Sequence, residues 1–109
     1  MNSCNTRQEG AFKVVAIGGE VDLSWSAEIR SAILDALRGE DGVLVELSAV
    51  SYIGSSGIAA LVEGYQRAKA NNLQFGLFSI SPAVRAVLEL ARLDQVFPIH
   101  DDMAAAQAG

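Results

Sequence analysis

A short segment of the sequence, Ser-Tyr-Ile-Gly-Ser-Ser-Gly-Ile at residues 51–58, combines two adjacent hydroxyl side chains with two glycines. Ser55, Ser56 and Gly57 directly precede a helical pattern, so either hydroxyl is placed to cap that helix by accepting from its free N–H groups. The same N–H groups and the helix dipole favour a phosphate at this place. Phosphorylation would add about −1.5 to −2 charges to a small, apolar surface. The segment therefore predicts either a plain serine cap or a binding surface that a phosphate switches off.

Side chains for catalysis are scarce in this chain. His100 is the single histidine, and no Gly-x-Ser-x-Gly elbow or phosphate-binding Gly-Lys-Ser/Thr loop is present. Gly18 and Gly19 lack the spacing of a dinucleotide fingerprint and predict a turn that ends a strand. The lone Cys4 excludes an internal disulfide and a cysteine-based zinc site. We predict no enzyme activity, no cofactor and no metal. The alternative from the enzyme class is a hydrolase that uses Ser56 with His100, although we expect His100 to be an exposed turn residue or the neighbour of a helix cap.

Two polar side chains precede the first helical pattern. Asp22 and Ser24 lie in a stretch of capping residues between a strand and that helix, close behind Glu20. For the two acidic residues, Glu20 and Asp22, we expect roles in turn formation and helix capping, and a ligand-binding role is the alternative.

The composition limits the class of protein. The chain has 109 residues, half of them hydrophobic and 19% charged, with a formal net charge of −5. It is too apolar for a disordered chain, and its apolar runs are too short for a membrane span, which needs about 20 residues. No basic face for nucleic acid is expected, because five arginines are spread along three separate segments, namely Arg30, Arg38, Arg67, Arg85 and Arg92. Because the N-terminal residues lack the apolar core of a signal peptide, we expect a single cytoplasmic domain without membrane insertion.

Strand-like and helix-like patterns alternate along the chain. Strands are predicted at residues 12–17, 42–47 and 73–80, with an edge strand at 4–9 and a last short strand at 96–99. Helical spacing of apolar residues begins near Trp25, Ser55 and Pro82, and a last short helix is predicted at 101–106. This alternation predicts an α/β fold in which the central strands are parallel, while the first strand pair is either mixed or antiparallel.

Four segments in this order resemble the STAS domain, the family of bacterial anti-sigma-factor antagonists. They are GEVDL at 19–23, VLVELSAVSYIGSSGIAAL at 43–61, the helix that follows, and SPAVRAVLELARLDQVFPIHDD at 81–102. The resemblance covers about residues 12–103. It implies one STAS domain across residues 1–109, with a mixed, mostly parallel β-sheet and helices packed mainly on one face.

In function, the resemblance implies an anti-sigma-factor antagonist that binds an anti-sigma factor with serine kinase activity and so releases a sigma factor. The kinase would phosphorylate Ser56, which falls on the second hydroxyl of the family motif Asp-Ser-Ser/Thr-Gly, and a serine phosphatase would reverse the modification. The Asp of a second family motif, Gly-Glu-Leu-Asp, falls on Asp22. The implied partner-binding residues are Asp22, Ser24, Ile53, Gly54, Ser55, Ser56, Gly57 and Ile58.

The sequence departs from the family motif at one position. Gly54 stands where the family carries the first Asp of Asp-Ser-Ser/Thr-Gly. The loss of this carboxylate either makes a phosphate on Ser56 easier to accommodate, or removes a group that the kinase reads or that holds the turn. The alternative function from the same resemblance is a STAS subunit of an ABC-type lipid-transport complex, which would dock on its ATPase without phosphorylation.

Overall fold

A five-stranded sheet organises the computed structural model, which describes residues 2–108. The strands are β1 Ser3–Glu9, β2 Phe12–Val21, β3 Gly42–Ile53, β4 Phe75–Phe78 and β5 Ile99–His100, and they lie side by side in this order. β1 is antiparallel to β2, and the other neighbours are parallel. The helices are α1 Ser26–Ala36, α2 Ser55–Ala70, α3 Pro82–Leu90 and α4 Met103–Ala108, with a 3₁₀ turn at Leu93–Gln95.

Two apolar clusters cover the two faces of the sheet unequally. The larger cluster joins buried residues of α1, α2 and α3, such as Ile33, Leu61 and Leu88, to the central strands. The smaller cluster joins α4, through Ala106, to buried residues on the other face of the strands, such as Phe78. The predicted α/β fold, with a mixed, mostly parallel sheet and helices mainly on one face, is therefore confirmed, and the antiparallel option holds for the first strand pair.

The glycine pair at positions 18 and 19 does not end β2, and that prediction was wrong. β2 continues to Val21 with register shifts on both sides of the pair. A Cβ at Gly18 would lie 3.0 Å from both Ala49 Cβ and Ser3 Oγ, and Gly19 has a φ of 99°. These residues therefore allow close strand packing and a bulge rather than a turn. β3, predicted to end at residue 47, likewise extends to residue 53.

The last third of the chain differs from its predicted boundaries. Ser79 adopts a left-handed φ of 51°, which ends β4 two residues before the predicted limit. The last strand lies at 99–100 rather than at 96–99, so His100 is a half-buried strand residue and the predicted exposed turn was wrong. The last helix begins at residue 103, where Asp102 Oδ1 accepts from the Ala105 N–H at 2.9 Å.

An ion pair joins α1 to α2 on the outside of the larger cluster. Arg30 Nε and Nη2 each donate to a carboxylate oxygen of Glu63 at 2.7 Å. The hydrogen bond from Arg30 lowers the pKa of Glu63 below its ordinary value. Because the folded-state pKa is lowered, the pair stabilises the fold above the ordinary carboxyl pKa, and this contribution disappears as the pH falls through the lowered one. Both side chains are exposed, so we expect the contribution to be small.

Ser81 is a buried polar side chain that ties α3 to β3. Its hydroxyl donates to the Val50 carbonyl at 2.6 Å and accepts from the Val84 N–H at 3.2 Å, so it caps α3. We expect Ser81→Ala to lower the free energy of unfolding by about 1–2 kcal/mol, because it removes both the cap and a buried hydrogen bond. Urea denaturation would measure this loss. The matched control is Ser48→Ala at an exposed position of β3, and an equal effect of both changes would contradict the prediction.

Candidate functional site

The carboxyl ends of β2 and β3 meet beside the start of α2. Val21 and Ile53 are register partners at the ends of the two strands. One residue later, the Gly54 N–H donates to the Val21 carbonyl at 3.0 Å, and the Gly54 carbonyl accepts from the Ile58 N–H at 3.0 Å. The second of these is the first hydrogen bond of α2. A single residue therefore turns the chain from strand to helix and attaches the turn to β2.

Gly57 allows the first turn of α2 to pack directly on these strands. A Cβ at this position would lie 2.7 Å from Val21 Cγ1 and 2.8 Å from Ile53 Cγ1. Both neighbours are buried side chains, so neither can move away freely. Ile53 and Gly57, two of the predicted partner-binding residues, are thus buried. They support the surface around them and expose almost none of their own.

The two serines follow the cap of α2 instead of forming it. Gly54 is the N-cap, with φ −93° and ψ −177°, and it makes no side-chain hydrogen bond. Ser55 and Ser56 are the first two residues of the helix, so the predicted serine cap was wrong. Within residues 2–108 neither hydroxyl has a hydrogen-bond partner. Ser55 is exposed and Ser56 is half-buried, which leaves both hydroxyls available at a helix start without acidic residues.

The loop between β2 and α1 lies next to this helix start. The Asp22 carbonyl accepts from the N–H groups of Trp25 and Ser26 at 3.1 and 3.0 Å, and its Oδ1 accepts from the Ser24 hydroxyl at 2.7 Å. Asp22 therefore forms the turn, as predicted. It does not cap α1 with its side chain, because the N-cap is Trp25 and makes no side-chain hydrogen bond. Since Asp22 follows the Val21 carbonyl that accepts from the Gly54 N–H, the backbone of this loop adjoins the start of α2.

Two exposed apolar side chains lie in the segments that adjoin the start of α2, and they were not among the predicted contact residues. Leu23 is 81% exposed in the β2–α1 loop, and Tyr52 is 52% exposed near the end of β3. Leu23 lies outside the helical stripe that follows it, and this is the one sequence signal that could have identified it. We define the α2-start surface as the exposed and half-buried residues around the helix start: Asp22, Leu23, Ser24, Tyr52, Gly54, Ser55, Ser56 and Ile58.

The structure separates the two residues of the hydrolase alternative. His100 is the register partner of Phe78, which in turn pairs with Glu46 on β3. Ser56 follows Ile53, the last residue of β3, which lies seven residues beyond Glu46. At about 3.3 Å per strand residue, the side chains of Ser56 and His100 therefore lie roughly 20 Å apart. A hydrogen-bonded Ser56–His100 pair is therefore excluded in this conformation. Among residues 2–108, no cluster of three potential metal ligands and no pocket is found.

None of the helices described for this chain has the length and apolar character needed to cross a membrane.

Comparison with known proteins gives one consistent result. The sequence model of the STAS domain matches residues 3–106. Anti-sigma-F factor antagonist RsfB of Mycobacterium tuberculosis is 30% identical over 101 aligned positions, and the match covers 88% of this chain and 82% of that protein.

Solved structures give the same result. The crystal structure of an anti-sigma factor antagonist from Mycobacterium paratuberculosis is 25% identical, with a TM-score of 0.86, and the match covers 99% of this chain and 92% of that one. An anti-sigma-factor antagonist (STAS) domain protein from Planctomyces limnophilus is 28% identical, with a TM-score of 0.84 and 96% of both chains covered.

Proposed function

Because this chain belongs to the STAS domain family, we propose that it is an anti-sigma-factor antagonist, which binds an anti-sigma factor through its α2-start surface and thereby releases a sigma factor. The names of its relatives from Mycobacterium tuberculosis and Mycobacterium paratuberculosis support this role. The observation that carries the proposal is the pair of unbonded hydroxyls of Ser55 and Ser56 at the start of α2, next to the carboxyl ends of β2 and β3.

We further propose that the anti-sigma factor is a cytoplasmic serine kinase and that Ser56 is its target. The N–H groups of Ser55, Ser56 and Gly57 have no acceptor within the helix, and they give the helix start a partial positive charge. A phosphate on Ser56 is therefore tolerated by the free protein, all the more since Gly54 contributes no carboxylate. The same phosphate opposes binding, because it would bring about −1.5 to −2 charges into a contact with apolar neighbours. A serine phosphatase would restore the bare surface.

Ser56 and Ser55 differ in a way that favours Ser56 as the regulatory position. Ser55 is exposed, so a charge there keeps most of its water in the free protein. Ser56 is half-buried, so a charge on it has less water to begin with, and a partner that covers the helix start would leave it more completely desolvated. Because Gly57 packs tightly against Val21 and Ile53, the helix start cannot move closer to the sheet to make room for a charged Ser56.

Incubation with ATP and the serine-kinase anti-sigma factor of the same genome tests this proposal. We expect one phosphate per chain by intact mass, lost in Ser56→Ala and kept in the matched control Ser55→Ala. Label that survives Ser56→Ala would overturn the assignment of the residue. Absence of both label and binding, together with copurification of an ABC-type ATPase, would overturn the proposed function in favour of the transport-subunit alternative.

A further inference from the structure

The aromatic ring of Tyr52 lies beside Gly54, the N-cap of α2. A Cβ placed on Gly54 would be 3.1 Å from Tyr52 Oη and 3.5 Å from Tyr52 Cε2. The phenol therefore occupies the space into which any side chain at position 54 would project. The backbone of Gly54 is extended, at φ −93°, so its angles alone do not require glycine. What the glycine provides is room for the ring.

The position of Tyr52 in the sheet explains why so large a side chain is exposed. Val21 and Ile53 point into the larger cluster, so their chain neighbours and register partners Glu20 and Tyr52 point to the opposite face. On that face α4 packs on the cluster around Phe78, at the other end of the strands. No element among residues 2–108 covers the face at the carboxyl end of β3, and Tyr52 remains 52% exposed.

We propose that Tyr52 is a specificity-determining residue of the α2-start surface, and that Gly54 sets the position in which its ring meets the anti-sigma factor. This inference rests on the proposed function. The occupant is the anti-sigma factor, because the ring lies beside Gly54, the N-cap that directly precedes Ser55 and Ser56. It would meet Tyr52 with an apolar pocket that has a hydrogen-bond acceptor at its base.

The chemistry of tyrosine supports this assignment. A tyrosine side chain offers a large apolar area and one polar tip, and it loses little conformational freedom when it is fixed, so it is over-represented among residues that dominate binding energy. In the free protein the phenol of Tyr52 lies next to Gly54, with its Oη 3.1 Å from the place where a Cβ would stand. A side chain at position 54 would displace the hydroxyl and change which pocket fits.

Binding of four variants to the anti-sigma factor identified by the labelling experiment tests the inference. We expect Tyr52→Ala to weaken binding at least tenfold, Tyr52→Phe to weaken it severalfold, and Gly54→Ala to weaken it severalfold. In the double variant, Gly54→Ala should add nothing to Tyr52→Ala, because its effect acts through the ring. The matched control is Leu90→Ala, which removes an apolar side chain that is 88% exposed at the end of α3. Urea unfolding of Tyr52→Ala and Tyr52→Phe should match the parent, since Tyr52 lies outside both apolar clusters.

The outcomes separate the two proposals. If the parent chain binds no anti-sigma factor, the proposed function and this inference both fail. If the parent binds and Tyr52→Ala binds equally well, only the role of Tyr52 fails. If Gly54→Ala weakens binding by the same factor in the parent chain and in Tyr52→Ala, the coupling between positions 52 and 54 is refuted.

Discussion

Replacing Gly57 by valine should lower the free energy of unfolding by about 2–3 kcal/mol, the largest stability change we expect from one substitution at the site. The new Cβ would lie 2.7 and 2.8 Å from carbon atoms of Val21 and Ile53, inside their van der Waals contact distance. Both neighbours are buried, so relief requires movement of α2 away from the sheet, and overpacking of this kind costs about 1–3 kcal/mol. Urea denaturation of the full chain measures the change.

The control for this prediction is Ala59→Val on an exposed position of α2. This variant introduces the same β-branched side chain into the same helix, and it should cost no more than the difference in helix propensity, about 0.6 kcal/mol. The excess in Gly57→Val then reports the contact between the helix start and the two strands. Equal stability of the two variants would show that α2 is not seated on Val21 and Ile53.

The helices and the order of the strands follow from patterns that are local in sequence. Residues such as Ile29 and Ile33, or Val84 and Leu88, are four apart and buried on the same side of their helices. This spacing can be read without knowledge of the fold. The crossover helices then require parallel neighbours, which the structure has from β2 to β5.

The lengths of β2 and β3 depend on contacts between distant residues, and sequence patterns did not predict them. Gly18 is opposite Ala49, and the bulges near this pair allow both strands to continue for several residues. Exposed residues at 48 and 49 interrupt the apolar run of β3, which is why residue 47 looked like its end. The pairing with β2, and not the local composition, sets the true end at Ile53.

The extension of β3 also changes the roles of the residues at the site. Because the strand runs to Ile53, only Gly54 is left to turn the chain, and Ser55 and Ser56 become helix residues with free hydroxyls. The sequence did identify this segment as the site of interest, from its hydroxyls and glycines. It could not identify Tyr52, because the exposure of that ring depends on which part of the second face α4 covers.

Replacing Ser56 by aspartate should weaken binding to the anti-sigma factor at least tenfold, a loss of about 1.4 kcal/mol. The carboxylate would stand at a half-buried position, and a partner that covers it must remove water from a charge that no cationic side chain of the α2-start surface neutralises. Isothermal titration with the unphosphorylated chain gives the reference affinity. Ser56→Asn is the neutral control of similar size, and Gln66→Glu adds a negative charge to an exposed position farther along α2.

The free protein should respond to the same substitution in the opposite direction. A negative charge in the first turn of α2 interacts favourably with the helix dipole and the free N–H groups, by about 0.3–1 kcal/mol. Ser56→Asp should therefore unfold at a urea concentration equal to or above that of the parent chain, although it binds less well. A misfolded surface would lower both the stability toward urea and the affinity for the anti-sigma factor. Only lost affinity together with unchanged or higher stability therefore indicates a switch that is controlled by charge. If Ser56→Asn loses as much affinity as Ser56→Asp, the shape of the surface and not its charge controls binding, and phosphate could not act there as we propose.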